Sequence, residues 1–195
     1  MNKWKLIVPV GIISVGAAVA ASLLKKNKNE AVPKEAAKKA AAPANIGSGT
    51  YSFVSGYKDA ATFRLGVKYD ADAFTFAVVS EDYLVYSGDS HVAILSSEDY
   101  NVQIEYAPYY SGEGFAQLCG RMKEKYADLK ELKVSGINAI RYIEGDAVVT
   151  CVEVDEYSYI MIYAMKAKDS KIELPDIVYD APLAFVFNSL EITKA

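Results

Sequence analysis

Alternation of apolar and polar side chains is the feature that most restricts the fold of residues 60–165. In the run 100–106 every second side chain is large and apolar, and the side chains between them are Asn101, Gln103 and Glu105. A period of two places the two sets on opposite faces of a half-buried strand. The same pattern predicts strands at 63–69, 74–79, 83–86, 91–96, 129–134, 137–144, 147–154 and 157–165. Short turns separate many of them, so we expect antiparallel neighbours.

Two segments have helical spacing instead. The first carries an apolar stripe of Phe115, Leu118, Cys119, Met122 and Tyr126. Ser111 is its predicted N-cap. Pro182 is predicted in the first turn of a closing helix that continues through Phe187 to Ile192. The predicted fold class is therefore α+β, an antiparallel β-sheet with helices packed on it.

Residues 6–24 contain no charged side chain. As a helix this run would span about 28 Å, close to the ~30 Å hydrocarbon core of a bilayer. It predicts one N-terminal transmembrane helix, which would make the membrane a partner through residues 6–24. A cleaved signal peptide is the alternative, because Ala18, Val19 and Ala20 could form a cleavage site, and the chain would then be a secreted envelope protein.

Composition divides the chain into three predicted parts. These are an anchor or signal segment at 1–24, an Ala/Lys/Pro-rich tether at 25–49 and an acidic globular domain at 50–195. Residues 1–45 contain eight Lys and two Glu, which gives them a net charge of +6. Because the net charge of the whole chain is −4, residues 46–195 have a net charge of −10. Nucleic-acid binding requires a basic surface, which argues against a nucleic-acid partner. More lysines follow the apolar run than precede it, which favours a domain facing the cytoplasm, although the side stays open.

No catalytic residue, metal ligand or cofactor is predicted. His91 is the single histidine, which excludes multi-histidine metal sites. Cys119 and Cys151 form no metal or redox motif, and whether they form a disulfide stays open. An enzyme is therefore less expected than a binding protein.

A short acidic repeat is a candidate for a cation-binding rim. Ser80-Glu81-Asp82-Tyr83 recurs as Ser97-Glu98-Asp99-Tyr100. If one hairpin separates the copies, Glu81, Asp82, Glu98 and Asp99 would lie at one end of the sheet, where hard cations find oxygen ligands. The simpler interpretation is that these residues only solvate turns. Paired carboxylates in a cleft would instead suit a glycan-acting hydrolase, which is the alternative function.

Tyr106, Tyr109 and Tyr110 flank Pro108 and form a second candidate site. Tyrosine combines apolar area with a hydrated hydroxyl, so an exposed group of three would suit a protein or envelope partner. Tyrosine is also a good strand former, which explains most of the fifteen in the chain.

The order of motifs adds a family resemblance. Phe74-Thr75-Phe76 leads to Ser80-Glu81-Asp82-Tyr83, then come a meander, one helix, the segment Val134–Ala139, further strands and a closing helix with Phe187–Leu190. Over about residues 62–193 this order resembles the PsbP-like superfamily, which includes the photosystem II extrinsic protein and the Ran-binding Mog proteins. The resemblance implies an α-β-α sandwich that binds or assembles, and it transfers no functional residue. The predicted function is a membrane-tethered, non-enzymatic binding or assembly module.

Overall fold

The computed structural model describes residues 42–55, 61–80 and 91–195, of which about half are in strands. The strands are β1 (Ile46–Ser55), β2 (Ala61–Asp70), β3 (Thr75–Ser80), β4 (His91–Ser96), β5 (Tyr100–Pro108), β6 (Lys130–Val134), β7 (Ile137–Glu144), β8 (Ala147–Glu153), β9 (Ser158–Lys166) and β10 (Glu191–Lys194). The helices are α1 (Phe115–Lys125), a 3₁₀ helix (Leu174–Tyr179) and α2 (Ala181–Ser189).

Seven of these strands form one antiparallel sheet, the large sheet, in the order β3-β4-β5-β9-β8-β7-β6. At its centre Val102 pairs with Ala164, and Ile104 pairs with Ile162. Consecutive residues of a strand point to opposite faces. Because Ala147–Val152 of β8 are all buried, both faces of the large sheet are covered at this strand.

β1, β2 and β10 form the small sheet, which is also antiparallel. Its inner face contributes Tyr51, Phe53 and Leu65 to the core that it shares with the large sheet. Two glycines of β1 allow aromatic rings to approach the backbone of this strand closely. The ring of Tyr69 lies directly over Gly47 and the ring of Phe76 lies over Gly49, so a Cβ at either position would overlap a ring.

The two faces of the large sheet carry different layers. One face packs against the small sheet, the 3₁₀ helix and α2, which add Ile177, Leu183 and Val186 to that core. The opposite face of β7, β8 and β9 packs against α1, whose Leu118 is fully buried. Cys119 and Cys151 belong to this second core and are both free thiols.

The predicted fold class is wrong. The sequence predicts an α+β domain with one antiparallel β-sheet between helices, but the described residues form two sheets. The small sheet covers much of the face of the large sheet on which helices are expected. β1 contains Gly and Ser at many positions and has no long apolar run, so its sequence carries a weak strand signal. The closing helix ends at Ser189, and Ile192 lies in β10, where it pairs with Leu65.

Three further sequence expectations concern the N-cap of α1, the transmembrane helix and the strand at 83–86. Gly114, rather than Ser111, precedes α1, and the Gly114 N–H donates to Gln117 Oε1 at 3.1 Å. Within 42–55, 61–80 and 91–195 no helix is long and apolar enough to span a membrane. The predicted transmembrane helix at 6–24 and the predicted strand at 83–86 lie outside the described residues.

Candidate functional site

The structure does not bring the three predicted tyrosines together. Tyr106 is half-buried in the core beneath the small sheet, with its ring centroid 5.2 Å from that of Phe53. Tyr109 packs on the opposite face of the large sheet, stacked on Tyr159 at 5.1 Å. Tyr110 alone is largely exposed, and the Arg121 guanidinium lies 4.5 Å from its ring centroid.

The candidate cation rim is described in part. Glu81 and Asp82 lie outside the described residues. Asp99 Oδ1 accepts a hydrogen bond from the Ser170 hydroxyl at 3.1 Å, and Glu98 lines a shallow cavity beside Asp72. The described ranges contain no group of three or more His, Cys, Asp or Glu side chains that could hold a metal ion.

Arg141 is a half-buried charged side chain on β7. Its neighbours on the same face of β7, Ala139 and Ile143, belong to the apolar core. Arg141 Nε donates to Oγ1 of Thr150, its register partner on β8, at 2.9 Å. On the other side Arg141 Cζ lies 4.8 Å from the ring centroid of Phe187 in α2. The alternation of β7 thus places a cation on a face that is otherwise apolar.

Among the described residues no carboxylate forms an ion pair with Arg141. The ion pairs there join Arg121 to Glu113, Lys123 to Glu131 and Lys125 to Glu144. A guanidinium has five N–H donors, of which Thr150 occupies one. Burial lowers the pKa of Arg141 to about 10, and Tyr179 offsets a small part of this effect. Arg141 remains charged at neutral pH, and a half-buried charge without a counterion is unusual.

Arg141 lines a cavity of about 270 Å³ between the 3₁₀ helix and the β7–β8 hairpin, which we call the Arg141 cavity. Its apolar walls are formed by Ile143, Val148, Pro175 and Val178. Tyr179, 57% exposed, lines its solvent side. The cavity therefore combines a cation with apolar walls, as small-ligand sites commonly do.

Tyr142 and two exposed side chains of opposite charge, Asp128 and Lys130, also line the cavity. Asp128 Oδ2 accepts the backbone N–H of Ile143 at 3.1 Å, which fixes this carboxylate at the rim. The opposite charges of the rim offset each other. The uncompensated charge of the cavity therefore comes from Arg141.

Arg141 is not among the site residues predicted from the sequence. A signal was present, because the alternation predicted at 137–144 places position 141 on the same face as Ala139 and Ile143. What the pattern lacks is the position of the 3₁₀ helix, which forms the opposite wall.

A second cavity, of about 530 Å³, lies beside α1 and is lined by Cys119, Glu131 and Glu153. Its carboxylates already have partners: Glu131 pairs with Lys123, and Glu153 Oε2 accepts from Asn138 Nδ2 at 2.7 Å. Burial raises the pKa of Cys119, which keeps the thiol protonated and unreactive at neutral pH. Both carboxylates of this cavity thus have partners, whereas Arg141 has no carboxylate partner among the described residues.

Comparison with known proteins identifies no relative: no family model matches the chain, and no curated protein or solved structure matches it significantly. The resemblance to the PsbP-like superfamily stays a prediction. The function is therefore inferred from the chain's own geometry.

Proposed function

We propose that the chain is a non-enzymatic binding module that holds the anionic group of a ligand against Arg141. The observation that carries this proposal is the guanidinium of Arg141, which lines a cavity and has no carboxylate partner among the described residues. An anion would neutralise the charge and occupy N–H donors that Thr150 leaves free. The predicted PsbP-like resemblance points the same way, towards binding.

The hydrolase alternative has weaker support. It requires two carboxyl groups in one cleft whose environments separate their pKa values. Glu131 and Glu153 share a cavity, but Lys123 and Asn138 already engage them. Neither carboxylate is therefore free of partners inside the cavity.

The proposal is tested by screening a mixed set of small acids, phosphates, amides and alcohols by ligand-observed NMR. The protein is the full chain, kept in detergent because of the uncharged run at 6–24. We expect the compounds that bind to be mainly anions, and binding to be lost in Arg141→Met. Arg64→Met is the matched control, because Arg64 is an exposed arginine on β2. The proposal is wrong if no compound binds, or if Arg141→Met binds the same compounds equally well.

The predicted membrane location is a separate proposal, and it rests on residues 6–24 alone. Protease added to intact cells tests which side of the membrane the domain faces. A domain that faces the cytoplasm is cleaved only after the membrane is permeabilised. Immediate cleavage would place the domain outside.

A further inference from the structure

We infer that the ligand of the Arg141 cavity is an apolar monocarboxylate, that is, one carboxylate on a short aliphatic or aromatic body. This inference rests on the proposed function and specifies its ligand class. Three features of the cavity lead to it: the number of its inward cations, the geometry of the guanidinium and the chemistry of its walls.

The first feature is charge balance. Arg141 is the cation on the inner face of the cavity, whereas Lys130 lies at the exposed rim beside Asp128. One carboxylate neutralises one guanidinium. A phosphate or a dicarboxylate would bring a second negative charge into an apolar cavity in which the described residues provide no second inward cation, which is costly.

The second feature is geometry. A guanidinium is planar and presents paired N–H donors, which match the two oxygens of a carboxylate in a bidentate pair. Thr150 accepts from Nε, so this bond leaves the terminal nitrogens of Arg141 for a ligand. Phe187 lies against the guanidinium and Thr150 fixes its Nε, so the side chain is held in place before a ligand arrives.

The third feature is the wall. Ile143, Val148, Pro175 and Val178 offer no charged group, so the part of the ligand next to the carboxylate must be apolar. The cavity volume of about 270 Å³ is below the roughly 300–1,000 Å³ typical of drug-sized sites. A body the size of one amino-acid side chain therefore fits. Such a carboxylate can come from a free organic acid or from the C-terminal residue of a polypeptide.

The test uses three probes that share one body: phenylacetate, neutral phenylacetamide and dianionic benzyl phosphate. Titrations of the full chain are followed by NMR. We expect phenylacetate to bind at least about tenfold more tightly than either of the others, because only it forms the neutral bidentate pair. In Arg141→Met this preference disappears, and Arg64→Met retains it. Arg141→Lys keeps the charge but loses the planar fork, so we expect it to bind phenylacetate weakly.

Two N-acetylated peptides that end in phenylalanine, one with a free carboxylate and one amidated, distinguish the source. Tighter binding of the free peptide than of phenylacetate identifies a polypeptide C-terminus, and the reverse identifies a free acid. If benzyl phosphate or phenylacetamide binds as well as phenylacetate, and Arg141→Met weakens that binding, the ligand class is wrong while the binding function stands. If none of the probes binds the wild-type chain at millimolar concentration, the ligand class is wrong, and the broader screen decides the binding function.

Discussion

The hydroxyl of Tyr100 donates a 2.7 Å hydrogen bond to Oδ2 of Asp180, which joins β5 to the residue that precedes α2. Tyr100 is almost fully buried and Asp180 is half-buried, so water replaces this bond poorly. We expect Tyr100→Phe to lower the free energy of unfolding by about 1–2 kcal/mol, measured by urea denaturation. Tyr110→Phe is the control, because the exposed Tyr110 should change stability by less than ~0.5 kcal/mol. Equal effects in the two variants would contradict the interpretation.

Alkaline pH should destabilise the fold through Tyr51. Burial raises the pKa of Tyr51 to about 12, above its ordinary value near 10. The folded state thus favours the neutral phenol, and this stabilisation is complete below pH 10 and is lost as the pH rises towards 12. Between about pH 9 and about pH 11 the wild type should lose about 1 kcal/mol more than Tyr51→Phe. Identical losses in urea titrations of the two proteins would show that Tyr51 makes no contribution.

Gly49 and Gly120 should respond to alanine with opposite signs. A Cβ at Gly49 overlaps the ring of Phe76, so Gly49→Ala forces this ring or the backbone of β1 to move and should cost about 1–3 kcal/mol. Gly120 lies within α1, and its Cβ would meet no atom within 4 Å. Gly120→Ala should therefore raise stability by about 0.5–1 kcal/mol through helix propensity. Thermal unfolding of both variants provides the comparison.

Arg141→Met should leave stability within about 1 kcal/mol of the wild type. The variant loses a hydrogen bond and a cation–π contact, each worth about 1 kcal/mol, but it also removes a half-buried charge without a counterion. If Arg141 were needed to support the fold, its loss would cost about 3 kcal/mol or more. Urea denaturation of Arg141→Met and Arg64→Met distinguishes a binding residue from a structural one.

Tyr109 and Tyr110 are adjacent in the chain but should differ strongly in stability effects. Tyr109 stacks on Tyr159 within the core under α1, so Tyr109→Ala should cost about 2–4 kcal/mol. Tyr110 is 66% exposed, and Tyr110→Ala should cost less than ~1 kcal/mol, chiefly through the contact with Arg121. The binding of a partner by the Tyr110→Ala variant, compared with that of the wild type at equal folded fraction, then tests the predicted binding role of Tyr110.

Strands with clear alternation could be predicted from the sequence. The strand predicted at 137–144 is confirmed as β7, and the strand predicted at 91–96 is confirmed as β4. β10 could not be predicted, because its four residues begin one residue after α2 ends and are too few to show a period. Its strand conformation comes from pairing with β2, which is a tertiary interaction.

The candidate site was less predictable than the strands, for a physical reason. Tyrosine is equally suited to a core and to an interface, so a run of tyrosines does not show which rings are exposed. Tyr106 and Tyr109 pack on opposite faces because they are three residues apart along extended backbone, where successive side chains alternate between the faces of the sheet. The Arg141 cavity depends on the contact between β7 and a helix that starts at Leu174. These two segments are far apart in the sequence, so no local sequence pattern indicates that they meet.

The pairing of β10 with β2 also affects how the chain is made. Glu191 of β10 lies opposite Gly66 of β2, so more than a hundred residues must be synthesised between the two partners. Until β10 leaves the ribosome, the edge of β2 that it will cover presents unpaired backbone groups to neighbouring nascent chains. The interval between translation of β2 and translation of β10 is therefore the period in which we expect chaperones to matter most for this protein.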